Sequence, residues 1–437
     1  MASDETEDIS IPMPTEEPES RPGGVPLFVW VLVAVALAIP VGLYLGPAAA
    51  RLSIFADLII RALKALAAPL VVLAILSAIV TNDIRGRQGA RMMFYYLINT
   101  LVAMVIGLGL SNLVRPGDGA NLADIVNVTA PPPKKDVTTL LIELIPQSVG
   151  EAFAQNNLAQ LVLLTLALGI GLAKIRNEQR AQGQTTYTVL VDLVTLGFEL
   201  LMRVLLWVVA LVPLAVFGIV AASVGKDGFR LFLALGWFIG VVLVGLTCQI
   251  VWYLVQMAIF AQMSPLRFLR GAADVMAATF STASTAATMP VTLKALTGPL
   301  RVSRASSQLA ACVGTNFNND GTALYQAGAV LFLAQALGFH LSPIDQVIIM
   351  LTTLVASVGA GGIPSGSFVT LPLIFAAVGL QADKLLPVLL TVDWFLDRCR
   401  TTSNVLGDMT VAVLLDRTAQ ESKPPADGGV GPAERVG

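Results

Sequence analysis

The sequence predicts an all-α, polytopic membrane protein whose second half carries two broken, re-entrant helices. Of the 437 residues, 55% are hydrophobic and only 13% are charged, whereas a soluble domain usually carries about 25% charge. Several stretches reach the roughly 20 apolar residues that are needed to cross a bilayer. The chain therefore has more apolar surface than one soluble core could bury.

The composition excludes several kinds of partner and site. The net charge is −2 and no basic, aromatic-rich patch is found, so we expect no nucleic-acid partner. The three cysteines are scattered and His340 is the single histidine, so neither a disulfide framework nor a multi-histidine metal centre is predicted. The terminal segments 1–24 and 417–437 are polar and contain several prolines, and we expect both to be disordered tails.

Six apolar stretches in the first 260 residues are candidate spanning helices, and residues 115–150 are expected to form an exposed loop. Basic residues follow the second, fourth and sixth stretches, so the positive-inside rule places these loops and both termini in the cytoplasm. The short loops indicate a bacterial inner membrane. The stretches run near 26–46, 54–80, 92–114, 156–174, 190–222 and 229–260.

Two clusters of small residues, each with a proline, interrupt the apolar sequence of the second half. They are FSTASTAATMPVT at 280–292 and SVGAGGIPSGS at 357–367. A lipid-facing helix tolerates such breaks badly, because the freed backbone groups need partners. We therefore expect re-entrant helical hairpins near 266–297 and 344–379. Close packing of small residues between helices is the alternative interpretation.

A carboxylate follows each hairpin at a similar distance, which indicates an internal repeat. Asp320 lies 30 residues after Pro290, and Asp397 lies 33 residues after Pro364. By the count of loops, the first hairpin starts in the cytoplasm and the second starts outside, so the repeats are inverted. Inverted repeats with broken helices are typical of secondary transporters.

A polar stripe runs along the last apolar helix. Its members are three or four residues apart, so they share one helical face, which must point to protein or water inside a membrane. Arg400 can grip a carboxylate with two bonds, and Asp397 suits an ammonium group. A purely structural ion pair is the alternative. The stripe consists of Asp393, Asp397, Arg400, Asn404 and Asp408, with Thr401 beside it.

The segment NFNNDGT at 316–322 is a second candidate site. Asn318 and Asp320 offer oxygen ligands and Thr322 adds a hydroxyl. We expect Gly321 to let the helix unwind so that backbone carbonyls can bind sodium. Asn-Asp-Gly is ordinarily a turn signal, but apolar residues flank it here on both sides.

Four segments together resemble the core of the dicarboxylate/amino acid:cation symporter family, which includes the excitatory amino-acid transporters. They are STASTAATMP, NNDGTALYQ, SVGAGGIPSGS and DWFLDRCRTTSNVLGD, with a looser match at YYLINT, 95–100. The resemblance implies an elevator-type homotrimer with eight transmembrane helices and two hairpins. Helices 1, 2, 4 and 5 of residues 25–260 would form a scaffold. Helices 3 and 6 would join residues 261–416 in a mobile transport domain.

The resemblance also implies roles for individual residues. Arg400 would bind the side-chain carboxylate of an acidic amino acid and Asp397 its amino group. The other substrate contacts would come from Ser284, Thr285, Thr322, Ile363, Thr401 and Asn404. The three sodium sites would be formed by Asp408 with Gly314, Asn318 and Asn404, by Asp320 and Asn318 with Tyr96 and Thr100, and by Ser357, Val358 and Ala360. Asn316 is a further candidate ligand, and no cofactor besides the coupling ions is expected.

A few positions depart from the family pattern. Asn319 stands where methionine is usual and Asn99 where threonine is common, so the third and second sodium sites should differ in detail. Arg398 replaces an arginine that some members carry at the position of Ala283. Gln326 stands where animal transporters have a glutamate tied to potassium countertransport, which we therefore expect to be absent.

These observations predict a symporter that imports L-aspartate or L-glutamate together with cations, above all sodium. A C4-dicarboxylate symporter for succinate, fumarate or malate is the alternative, and a substrate without an ammonium group would leave Asp397 unpaired. An intramembrane aspartyl protease would need Asp320 and Asp397 to share a proton. Arg400 opposes this by keeping Asp397 ionised, so we expect no enzyme. The two gate-like hairpins argue against a plain ion channel.

Overall fold

The computed structural model describes residues 27–81, 86–118, 120, 142, 145–155, 157–228, 230–360 and 366–421. Those ranges contain fifteen α-helices, one 3₁₀ helix (Gly46–Ser53) and no strand, which confirms the all-helical class. The helices are α1 Leu27–Leu45, α2 Ile54–Thr81, α3 Gly86–Val114, α4 Val149–Ala154, α5 Leu158–Ala181, α6 Tyr187–Ala210, α7 Val212–Asp227, α8 Arg230–Ile259, α9 Pro265–Thr282, α10 Thr285–Thr297, α11 Arg304–Phe317, α12 Asp320–Ala336, α13 Pro343–Ala360, α14 Gly366–Ala377 and α15 Ala382–Glu421.

Five apolar helical stretches in the described part of the chain are long enough to cross a membrane, and they account for all six predicted spans. Two of them each cover a pair of helices, α1 with α2 and α6 with α7. The predicted span 190–222 is divided at Leu211, because Pro213 has no N–H to continue the helix. The stretches are Val29–Val80, Arg87–Val114, Gln160–Ala181, Tyr187–Lys226 and Leu233–Ile259.

The helices pack in two groups. In the first group α2 contacts α5, α6 and α7, and α7 contacts α1, whereas α3 and α8 pack with α11 to α15 or with part of that set. The second group is centred on α15, which contacts α8, α9, α11 and α12. Helix α2 also contacts α13, α14 and α15, so the two groups share a boundary. Which group is the scaffold and which one moves stays a prediction.

Each segment in which a hairpin was expected contains two helices that pack against each other, and their re-entrant course in a membrane stays a prediction. Helices α9 and α10 are joined at Ala283, which has a left-handed backbone (φ 53°), and at Ser284, whose side chain accepts a hydrogen bond from the Ala287 amide. Helices α13 and α14 form the second pair. The connecting residues 361–365, which include the predicted substrate contact Ile363, lie outside the described residues.

The last helix is longer than the sequence predicts. Helix α15 continues to Glu421, so the expected tail at 417–437 begins as helix. Arg417 donates a hydrogen bond to the Gln262 side chain at 2.9 Å, which holds this end against the connection between α8 and α9. The predicted tail 1–24, residues 422–437 of the predicted tail 417–437, and most of the loop 115–150 lie outside the described residues.

Candidate functional site

The centre of the polar stripe is a buried cluster of two acids and one base. Arg400 has a side-chain exposure of 1%, and its Nη1 and Nη2 lie 2.8 Å from Asp393 and 2.7 Å from Asp397. Its guanidinium also stacks over the ring of Tyr325, 4.0 Å from the centroid. Among the described residues, Nε of Arg400 has no polar partner, and Nη1 has the ion pair with Asp393 but no hydrogen bond of good geometry. The guanidinium therefore keeps a donor for a further carboxylate.

Asp393 is the member of this cluster to which the sequence interpretation gave no role. It is 2% exposed, and it receives a long hydrogen bond of 3.5 Å from the Ser367 hydroxyl on α14. The contact with Arg400 could have been predicted from the sequence, because the two residues are seven positions apart and residues i and i+7 lie on one face of a helix. Asp397 is the more accessible acid, with 16% exposure.

Asn404 connects the stripe to the break between α11 and α12. Its Oδ1 accepts a hydrogen bond from the Gly321 amide at 2.8 Å, and its Nδ2 donates to Thr322 at 3.2 Å and to Asn319 at 3.4 Å. Asn319 in turn donates to the carbonyl of Ser357 on α13 at 2.9 Å. The structure thus brings the predicted residues Thr322, Asn404 and Ser357 into one network.

The helix unwinds at 316–322, as predicted, but not at the predicted residue. Asn318 and Asn319 have non-helical backbones, whereas Gly321 lies in the first turn of α12. A Cβ at Gly321 would lie 2.7 Å from the carbonyl oxygen of Arg400 and 3.1 Å from the Cβ of Ser403. Glycine is needed at 321 because α12 approaches α15 closely, so its predicted role in unwinding was wrong.

Asp408 lies next to Gly314 and Asn318, two of the residues predicted to hold a cation with it. Asn318 donates from Nδ2 to Asp408 at 2.8 Å and to the carbonyl of Asn404 at 3.0 Å. A Cβ at Gly314 would collide with the Asp408 carboxylate and lie 2.8 Å from the Tyr96 hydroxyl. Tyr96 is therefore next to Asp408, and it donates to the Ala310 carbonyl at 2.8 Å.

Asp320, which was predicted to bind a second cation, is completely buried. Thr100 donates to its Oδ1 at 2.7 Å, and Tyr253 donates to its Oδ2 at 2.7 Å. The second contact comes from α8, in which the sequence interpretation named no site residue. Asn99, beside Thr100, accepts hydrogen bonds from Trp252 and Gln256 of α8 at 3.0 and 2.7 Å.

Of the remaining residues named from the sequence, Thr401, Asn316 and Ser284 make contacts close in sequence, whereas Arg398 contacts another helix. Thr401 donates to the Asp397 carbonyl at 2.7 Å and Asn316 to the Cys312 carbonyl at 3.5 Å, each within its own helix. Ser284 caps α10 and Thr285 begins it. Arg398 donates to the carbonyls of Phe280 (2.8 Å) and Ser281, which ties the first hairpin to α15. Val358 and Ala360 lie in the last turns of α13.

Broken apolar helices around a buried ion-pair cluster are typical of multi-pass membrane transporters, and comparison with known proteins gives the family. Residues 27–418 match the model of the sodium:dicarboxylate symporter family, and the chain belongs to this family. This confirms the resemblance found in the sequence. It also confirms that the protein is a transporter and not an enzyme.

Curated relatives align over almost the whole chain. A C4-dicarboxylate transport protein of Anaeromyxobacter sp. (strain K) is 30% identical over 401 residues, which cover 90% of this chain and 89% of the relative. A C4-dicarboxylate transport protein of Rhizobium leguminosarum is 27% identical over 405 residues, with the same two coverages. C4-dicarboxylate transport protein 2 of Mesorhizobium japonicum is 27% identical over 419 residues, covering 91% of this chain and 90% of the relative.

Proposed function

We propose that this protein is a sodium-coupled symporter that imports C4-dicarboxylates such as succinate, fumarate and malate. The observation that carries the proposal is the buried guanidinium of Arg400 with its unpaired Nε. The names of the relatives from Anaeromyxobacter and Rhizobium support the same cargo. This is the alternative of the sequence analysis, and it replaces the acidic amino acid as the first choice.

Arg400 would take the cargo by an exchange of carboxylates. A guanidinium presents two parallel N–H groups to a carboxylate, here from Nε and Nη2. A cargo carboxylate bound at this edge would displace Asp397 from Nη2, while Asp393 on the other side would keep Nη1 in place. Asp393 would therefore position the guanidinium, and Asp397 would open and close the site.

L-aspartate is the second candidate, because it is succinate with an amino group. The sequence analysis argued that a substrate without an ammonium group would leave Asp397 unpaired. This argument is weaker in the structure, because Asp397 already pairs with Arg400 at 2.7 Å. Once the cargo displaces it, however, Asp397 needs another cationic partner, because a buried unpaired charge is costly. An ammonium group would serve, and so would a coupled cation.

Sodium would balance the cargo charge and supply the driving force. A dicarboxylate carries two negative charges, and the Arg400 cluster adds one positive and two negative charges. The buried carboxylates of Asp320 and Asp408, with nearby hydroxyl, amide and carbonyl oxygens, are the hard ligands that such a cation prefers. If sodium completes the site, each ligand must raise the affinity for the other.

We further propose that the protein works as an elevator-type homotrimer in a bacterial inner membrane, with both termini in the cytoplasm. Helix α6 carries a stripe of Asp192, Glu199 and Arg203, which lie on one face, and Arg203 is 64% exposed in the single chain. A charge that faces hydrocarbon near the helix centre costs about 2.5–3.5 kcal/mol. A second copy of the chain packed on α6 would cover this stripe.

The test is uptake of radiolabelled succinate into proteoliposomes with an inward sodium gradient. Choline replaces sodium in one control and an acid-outside proton gradient replaces it in another. Unlabelled fumarate, malate, L-aspartate and L-glutamate are added as competitors. Arg400→Gln should reduce uptake by at least about 100-fold, as expected when a bidentate charged contact is lost. Arg304→Gln, a matched change at an exposed arginine, should leave uptake unchanged.

Each other outcome points to a specific error. Uptake of L-aspartate without succinate would make the second candidate correct, and Asp397→Asn should then abolish it. Uptake driven by the proton gradient alone would support the proposed substrate but would show that protons, and not sodium, are the coupling ion. No uptake of any tested acid under any gradient would overturn the proposed function.

A further inference from the structure

The carboxylate of Asp320 has a hydrogen-bond partner that neither the sequence pattern nor the family resemblance places in a site. Tyr253 on α8 is completely buried, and its hydroxyl donates to Oδ2 of Asp320 at 2.7 Å. Thr100 on α3 donates to Oδ1 at the same distance. Three helices, α3, α8 and α12, thus meet at one carboxylate.

Helix α15 approaches this group at a glycine. A Cβ at Gly407 would lie 2.6 Å from Nδ2 of Asn318, 3.0 Å from the Tyr253 hydroxyl and 3.2 Å from Oδ2 of Asp320. The missing side chain leaves a cradle whose wall is formed by these polar groups. Any larger residue at 407 would fill it.

Two further oxygens at this place have no donor. Oδ1 of Asn318 and Oε1 of Gln249 are buried, and neither has a hydrogen-bond partner among the described residues. Gln249 is completely buried one turn before Tyr253 on α8, and its Nε2 donates to the Asn99 carbonyl at 3.2 Å. Buried acceptors without donors are costly. A surplus of oxygen acceptors is the environment that a hard cation prefers.

We propose that Tyr253 is a ligand of the cation site at Asp320 and that Gln249 accepts the phenol hydrogen bond when the cation binds. A hydroxyl can donate one hydrogen bond and still offer lone pairs. By turning its O–H from Asp320 to Oε1 of Gln249, Tyr253 would free one carboxylate oxygen and direct its own oxygen to the cation. The phenol stays protonated throughout. This inference rests on the proposed function, because it takes sodium as the coupled ion.

The test measures sodium binding without any organic cargo. The midpoint of thermal unfolding of the purified full-length protein is followed against sodium chloride, with choline chloride keeping the ionic strength constant. A ligand that binds the folded state raises this midpoint once its concentration exceeds its dissociation constant. We expect Tyr253→Phe to raise the half-effective sodium concentration by about tenfold, the effect of losing one polar contact. Gln249→Met should raise it by about threefold, because the alternative acceptor is lost.

Tyr95→Phe is the matched control, since Tyr95 is a half-buried residue of α3 that contacts Phe94. It should leave the sodium dependence unchanged. A purely structural role of Tyr253 would lower the midpoint equally at every sodium concentration, whereas a lost ligand changes the concentration dependence. If Tyr253→Phe fails to fold, Gln249→Met alone decides, and a sodium dependence equal to that of the wild type overturns the inference.

Two results separate this inference from the proposed function. A sodium response of Tyr253→Phe that equals or exceeds that of the wild type would overturn the inference only, because the hydroxyl would then be a bystander or a competitor of the cation. If sodium does not stabilise the wild-type protein, sodium is not the coupling ion, and both that part of the proposed function and this inference are overturned.

Discussion

Helices α15 and α6 each carry acidic and basic residues on one face, yet they place them in opposite surroundings. On α15, Asp393 and Arg400 are 2% and 1% exposed and lie 2.8 Å apart. On α6, Glu199 and Arg203 are 35% and 64% exposed and lie 3.5 Å apart. Charges in an apolar helix therefore do not by themselves define a binding site.

The difference lies in what the neighbouring helices contribute. Helix α12 supplies the ring of Tyr325 against Arg400, and α14 supplies the hydroxyl of Ser367 to Asp393. The pair on α6 is formed within one helix, and no second helix adds a partner among the described contacts. A site needs partners from several elements, and these fix the geometry of each charge before any cargo arrives.

The largest effect is expected from removing the base of the buried cluster. Arg400→Met leaves Asp393 without its cation, and breaking a buried pair in this way costs about 3–5 kcal/mol. The double variant with Asp393→Asn should recover a large part of this loss, because the orphaned charge is removed too. The measurement is chemical unfolding of the detergent-solubilised protein. A single variant as stable as the wild type would show that water reaches the cluster and that α15 resembles α6.

A smaller effect is expected where α12 touches α15. In Gly321→Ala the new Cβ would meet the backbone of Arg400 at 2.7 Å, and a backbone atom cannot move aside as a side chain can. Overpacking of this kind costs about 1–3 kcal/mol. Gly240→Ala on α8 is the control, because a Cβ there meets no atom within 4 Å. Equal stability of both variants would show that the two helices can separate without cost.

The helices and the polar stripe of α15 could be predicted from the sequence, because both depend on local patterns of residues. A hairpin was predicted near 266–297, and the helix pair α9 and α10 runs over 265–297, since small residues and proline mark the break between the two helices. The partners of the stripe depend on contacts between distant segments. Tyr253 and Asp320 are 67 residues apart, and a single tyrosine in an apolar helix gives no signal of such a contact. Gly321 was assigned to unwinding because a glycine that permits close packing has the same appearance in sequence.

The smallest effect is expected on α6, and it concerns association more than folding. Glu199→Gln removes an exposed pair within one helix, which contributes about 0.3–0.5 kcal/mol to the fold. If a second copy covers the stripe, the lost charge should weaken association of the chains by about fivefold, which is about 1 kcal/mol. The measurement is the mass of the detergent-solubilised particle over a dilution series.

The control for this change is Glu178→Gln, which breaks the pair with Lys174 on α5. That pair has the same spacing of four residues, a distance of 4.0 Å and side chains that are 79% and 59% exposed. It lies near the end of its helix, outside the stripe, so its loss should leave the particle mass unchanged. Equal behaviour of the two variants would mean that the α6 stripe faces water or lipid head groups. The two charged helices would then differ only in burial, and the proposed contact between copies would have to lie elsewhere.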